Sequence, residues 1–174
     1  MTAAVASSPV ASPGRDTLPR IVAAGLAGGG VDFFYASAMA LAEGKPLWRP
    51  WQGVASGWIG PAAREASAGT IALGLATHLG IALAMGAAYV LGARRIPVVV
   101  SRPMATGVLY GLMLYVAMYL GVLPLRWPEV FPRWDGVTSA LDILAHMGVG
   151  LAIAWAASRP RTAINPKPAS ARAV

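Results

Sequence analysis

Apolar residues run nearly unbroken for about 20 positions four times along this chain, over residues 21–41, 68–91, 104–123 and 137–157, with most of the charge gathered between them. About 20 residues of helix, at 1.5 Å per residue, cross the roughly 30 Å hydrocarbon layer of a bilayer, so each run predicts a membrane-spanning helix. The runs are too long and too rich in Ala and Gly for barrel strands, and they lack the apolar/polar alternation of a barrel wall. The expected fold class is therefore all-α and integral to a membrane, with four transmembrane helices. Residues 1–19, rich in Ala, Ser, Pro and Thr without apolar periodicity, read as a disordered tail. Residues 20–158 form the membrane domain, and 159–174 a basic tail.

Composition supports the class. Only 12% of the 174 residues are charged and 56% are apolar, about half the charged share of a soluble domain. The absence of cysteine excludes disulfides, thiolate metal sites and cysteine nucleophiles. The net charge of +7 does not predict nucleic acid as a partner, because the basic residues flank apolar spans instead of lining one polar face. The expected partner is the lipid bilayer, and so small a chain is compatible with a homo-oligomer.

The charge instead sets orientation. In a four-span arrangement Arg15, Arg20, Arg94, Arg95, Arg102, Arg159, Arg161, Lys167 and Arg172 share one side, against Lys45, Arg49, Arg64, Arg126 and Arg133 on the other. With Asp16 counted on the first side and Glu43, Glu65, Glu129 and Asp135 on the second, the balance is +8 against +1. Basic loops stay inside, so both termini are expected in the cytoplasm. A competing reading takes Arg15, Arg20, the following apolar run and Ala36-Ser37-Ala38 as a cleavable signal peptide. Asp32, Phe33, Phe34 and Tyr35, standing between the run and that site, argue against it.

An internal echo organises the spans. His78-Leu79-Gly80-Ile81-Ala82-Leu83-Ala84-Met85 and His146-Met147-Gly148-Val149-Gly150-Leu151-Ala152-Ile153 share four identities in eight. Gly25 and Gly29 in the first span match Gly107 and Gly111 in the third, each pair spaced to let helix backbones approach closely. Two similar helical hairpins, about 21–91 and 104–157, are expected in the same orientation; the competing explanation is that Ala/Gly-rich helices resemble one another by composition. Residues 46–61 add a short helix lying in the outer interface, since Trp51, Ala55 and Trp58 fall at helical spacing, Trp48 precedes them, and Pro50 and Pro61 punctuate the ends. Trp127 and Trp134 bring five of the six tryptophans to this side, as headgroup anchoring explains. The functional alternative is an aromatic lid over an internal cavity.

Ser56-Gly57-Trp58-Ile59-Gly60-Pro61-Ala62-Ala63, Arg94-Arg95-Ile96-Pro97, Gly107-Val108-Leu109-Tyr110-Gly111 and Ala145-His146-Met147 together resemble a family of small bacterial inner-membrane proteins without an assigned function, related to the YagU-like group. The resemblance covers residues 21–157. It implies a multi-pass location in the bacterial inner membrane and no cofactor or site residue.

Chemistry is sought where polarity is expensive. A carboxylate at mid-span costs about 2.5–3.5 kcal/mol on insertion scales, which makes an intramembrane ionisable residue a candidate site. Asp32 lies about 17 Å along the first span, His78 and His146 fall at similar depth in the second and fourth, and Asp142 precedes His146 by one helical turn. Three readings follow. The four residues form a proton- or cation-handling site, with carboxylates paired to histidines, the side chains whose charge changes nearest neutrality. Alternatively His78 and His146 ligate a haem iron axially; apart from that alternative no cofactor is expected, and no metal is assigned. Or the protein is a non-catalytic structural or stress-related membrane protein, in which the four residues only hydrogen-bond across helices and fix packing. No catalytic residue is expected: Gly53-Val54-Ala55-Ser56-Gly57 misses the nucleophile-elbow spacing by one, and Gly28-Gly29-Gly30 lies inside a span rather than at a phosphate-binding turn.

Overall fold

The computed structural model describes residues 16–65 and 67–159, all of them helical or connecting, with no strand among them. Helix α1 covers Thr17–Ala42, α2 Arg49–Ile59, α3 Ala68–Ala93, α4 Pro97–Ser101, α5 Pro103–Val116, α6 Leu123–Arg126 and α7 Val137–Ser158. A 3₁₀ turn, Gly60–Arg64, follows α2, and a π-helical turn, Ala117–Val122, joins α5 to α6. Four stretches are long and apolar enough to cross a membrane: Thr17–Ala42, Ala68–Ala93, Pro103–Arg126 and Val137–Ser158. They coincide with the four apolar runs, and the architecture is that of a multi-pass membrane protein.

Helix α1 starts inside the stretch expected as tail, which corrects that expectation for residues 17–19. Pro19 sits in the first turn, where a missing N–H sacrifices no helical bond. Residues 1–15 and 160–174, the rest of the expected tails, lie outside the described residues. At the other end of α1 Gly44 takes φ +69°, and the N–H groups of Gly44 and Lys45 return to the carbonyls of Leu41 and Ala40. That is the glycine-terminated stop a left-handed residue permits. Helix α3 opens on a capping box, with Ser67 Oγ accepting from the Thr70 N–H at 3.1 Å. In the third span the π-helical turn ends two residues before Pro124, whose ring nitrogen cannot donate to the preceding turn; the wider turn absorbs the break.

Helix α1 packs between α3 and α7, and α5 packs on the far side of α7. Glycine makes both outer seams. A Cβ on Gly25 would lie 2.9 Å from Leu83 Cα, and one on Gly29 2.7 Å from Ala82 Cβ. Across the other seam a Cβ on Gly107 would lie 3.1 Å from Leu151 Cα, and one on Gly111 2.1 Å from the His146 carbonyl oxygen. Between the seams Ala24, Tyr89, Val90, Val149, Ile153 and Ala154 form the buried core. Large apolar side chains such as Leu109, Met113 and Val116 on α5 stay exposed, as suits a surface facing hydrocarbon rather than water.

The short helix expected over 46–61 exists as α2, but it docks on the bundle instead of lying free on its surface. Trp51, Gln52, Ala55 and Ser56 are buried, and α3 admits the backbone of Trp51 because residue 74 is glycine, where a Cβ would lie 1.8 Å from the Trp51 carbonyl oxygen. Trp51, only 4% exposed, is therefore a packed residue and not an interfacial anchor, whereas Trp48, Trp58 and Trp134 remain exposed. The Trp58 ring keeps one polar contact, its Nε1–H donating to Thr77 Oγ1 at 2.9 Å.

Candidate functional site

Asp32 and His78, one on α1 and one on α3, face each other where the glycine seam brings those helices together. His78 Nδ1 stands 3.5 Å from Asp32 Oδ2, and its Nε2 stands 3.1 Å from the Gly29 carbonyl oxygen. A carbonyl only accepts, so Nε2 carries a hydrogen. The remaining nitrogen then faces a carboxylate oxygen, and the contact is attractive only when one of the two groups carries a further proton. The arrangement can hold one proton between the imidazole Nδ1 and the carboxylate.

The second half of the cluster differs from the expected pairing. His146 Nδ1 donates to the backbone carbonyl of Asp142 at 2.8 Å, not to its carboxylate. The Asp142 carboxylate accepts instead from Tyr35 Oη at 2.6 Å, and Tyr119 approaches it as a second phenol. Asp142 and His146 sit one turn apart on one helix face, and the imidazole bonds back to the Asp142 carbonyl while the carboxylate turns to Tyr35. With Nδ1 committed, Nε2 is the nitrogen of a neutral His146 that can accept a proton. The rings of Tyr115 and Tyr119, each 5.6 Å away and nearly perpendicular, flank the imidazole.

A cavity of about 180 Å³ joins the two halves, lined by Asp32, His78, Tyr119 and His146 among apolar neighbours, with Gly28 and Gly29 making room. Asp142 is not part of its wall. Trp51 stands behind His78, outside the wall: its ring stacks on Phe33 at 4.7 Å and lies 5.0 Å from the His78 ring. A larger recess of about 480 Å³ opens next to it at the α2/α6 end of the bundle, bounded by Arg64, Trp127, Phe131 and Arg133. Val54, Tyr119 and Leu123 belong to both walls and form the partition between them. Arg126 braces this end, with Nε donating to the Gly57 carbonyl at 2.6 Å and Nη2 to that of Ser56 at 3.1 Å. Towards the opposite end Gly28, Met85 and Val149 line the space, and Ile153, almost fully buried, packs behind Gly28.

All four ionisable residues predicted from the sequence therefore belong to one neighbourhood, although only three reach the cavity. Tyr35, Tyr119 and Trp51 complete it. Their signals in the sequence are a tyrosine three residues after Asp32, a Tyr115/Tyr119 pair one turn apart, and a tryptophan at the centre of the outer segment. Two features bear on haem. Both nitrogens of His78 have partners, and a cavity of 180 Å³ is smaller than the roughly 300 Å³ at which small-molecule pockets begin. Among the described residues no three His, Asp or Glu side chains converge as a metal site would need. Comparison with protein-family models, curated proteins and solved structures finds no match to this chain.

Proposed function

We propose that this chain is a multi-pass protein of the bacterial inner membrane that handles protons, or a cation in exchange for them, through Asp32, His78 and His146. The observation that carries this reading is the cavity on which those three residues and Tyr119 converge, whose wall shares Val54, Tyr119 and Leu123 with that of a recess at one end of the bundle. About 180 Å³ has room for roughly six water molecules at about 30 Å³ each. Asp32 and Tyr35 on α1, His78 on α3, Tyr115 and Tyr119 on the third span, and Asp142 and His146 on α7 are the titratable groups around it. Asp142, tied to Tyr35, fits a packing role better than a proton-carrying one.

The same reading takes the two hairpins as equivalent copies. In its favour, Gly25 meets Leu83 and Gly107 meets Leu151, and the leucines are equivalent in the alignment that superposes His78 on His146. By the charge balance, this reading has both termini in the cytoplasm. A reporter fused near Asp135 should then be active only outside and one fused after Val174 only inside; the reverse pattern would invert the orientation and the proposed access.

Trp51 offers a local test. The indole lies 5.0 Å from the His78 ring, and an imidazole that gains a proton quenches a neighbouring indole, so under this reading part of the tryptophan emission should depend on pH. Because Trp51 is one of six tryptophans, the expected change is a modest fraction of the total. It should vanish in both His78→Gln and Asp32→Asn. A parent protein whose emission ignores pH would show that the pair does not exchange its proton.

A further inference from the structure

A second cavity, of about 410 Å³, lies at the end of the bundle where α1 begins and α3 and α7 finish. It is distinct from the Asp/His cavity, and the buried core of Ala24 and Ile153 lies between the two. Its polar wall holds Arg20 and Arg94, with Asp16 and Thr17; its apolar wall is Tyr89, Val90, Val99, Ala154 and Ala157.

The two arginines are held in place by contacts with the helix ends. Arg20 Nη1 donates to the Ala157 carbonyl at 2.8 Å, which positions the guanidinium across the last turn of α7. Arg94 Nη1 reaches Thr17 Oγ1 at 3.4 Å. Each guanidinium carries five N–H donors in a fork that matches phosphate oxygens, and the Ala157 and Thr17 contacts take one donor from each. The volume falls within the roughly 300–1,000 Å³ of small-molecule sites, and one side of the wall is hydrocarbon while the other is cationic. In a bilayer, this end of the helices meets the headgroup layer, where basic recesses between helices take anionic lipid heads.

We infer that the Arg20/Arg94 cavity is a binding site for the phosphate headgroup of an anionic phospholipid, whose glycerol and first methylenes lie along Tyr89, Val90 and Ala154. The shared chemistry is a phosphate ester, and the source is the membrane rather than a soluble metabolite. The lipid joins α1, α3 and α7 at one point, so it acts as a fourth element of packing at that end.

The test is native mass spectrometry and thermal unfolding of the full chain in neutral detergent, titrated with phosphatidylglycerol, with phosphatidylcholine and with inorganic phosphate. The parent should retain phosphatidylglycerol at least tenfold more tightly than phosphatidylcholine and be stabilised by it, while inorganic phosphate should give little protection. Arg94→Gln, at an exposed position that gives up the Thr17 contact, should weaken phosphatidylglycerol binding at least tenfold, as expected for a hydrogen bond to a charged group. Arg95→Gln, one residue away and outside the cavity wall, should weaken it less than threefold in about 1 M salt, where the Debye length is about 3 Å and general surface attraction is screened. Equal losses in the two variants, or a parent that does not distinguish the lipids, would overturn the site. Full protection by inorganic phosphate alone would overturn the lipid as its source.

Discussion

Gly111→Leu is expected to leave little folded protein to purify. The Cβ of any larger residue at 111 would stand 2.1 Å from the His146 carbonyl oxygen and 2.7 Å from Met147 Cα. Both are backbone atoms of a packed helix, so no rotamer change relieves the clash, and α5 must move off α7. Overpacking that side chains can absorb costs about 1–3 kcal/mol; displacing a backbone seam by a leucine should cost more, against a total stability of about 5–15 kcal/mol. Since α5 makes most of its contacts with α7, the loss should detach the third span and expose His146. Gly80→Leu is the control, because a Cβ at position 80 meets nothing within 4 Å and leucine is the better helix former. Size-exclusion profiles and thermal unfolding in detergent should separate the two variants clearly, and a Gly111→Leu protein that melts with the parent would refute the seam.

Asp32→Asn should remove proton flux while leaving the fold intact. Asparagine keeps the shape of the side chain and its capacity to bond His78, but it cannot share a proton with the imidazole 3.5 Å away. In vesicles carrying an imposed pH difference, the parent should move protons faster than protein-free vesicles. Asp32→Asn and His146→Gln should fall to that background, with stability within about 1 kcal/mol of the parent, as for substitutions that create neither a cavity nor an unpaired charge. Asp142→Asn, outside the cavity wall, should keep flux within about threefold. If the parent shows no flux, and the Asp32 and His146 variants instead fold poorly, the cluster serves packing and the transport reading fails.

The depth of each of these residues along its helix follows from the sequence alone. A rise of 1.5 Å per residue converts sequence distance from a span end into depth, and that arithmetic brings Asp32, His78 and His146 to a common level. It carries no information about which helix faces which. Asp142 shows the limit: its spacing from His146 suggests a carboxylate–imidazole pair, yet Tyr35, 107 residues distant in sequence, holds the carboxylate. Trp51 shows another. Helical spacing groups it with Trp58, but the absence of a side chain on Gly74 lets the backbone of α2 sink against α3 and buries one ring while the other stays outside.

By itself, the sequence determined the four spans, the short helix between the first two, and the glycines on which helix backbones close, because hydrophobic length, proline punctuation and side-chain size are local properties. Only the tertiary structure decided that α1 lies between α3 and α7, that Asp32 meets His78 while Asp142 meets Tyr35, and that Asp32, Tyr119 and the two histidines line one cavity. Those facts depend on the rotation of each helix about its axis. That rotation is set by the sum of many close contacts across the Gly25/Leu83 and Gly111/His146 seams, where one methyl group too many separates two backbones, and no residue's own spacing records it.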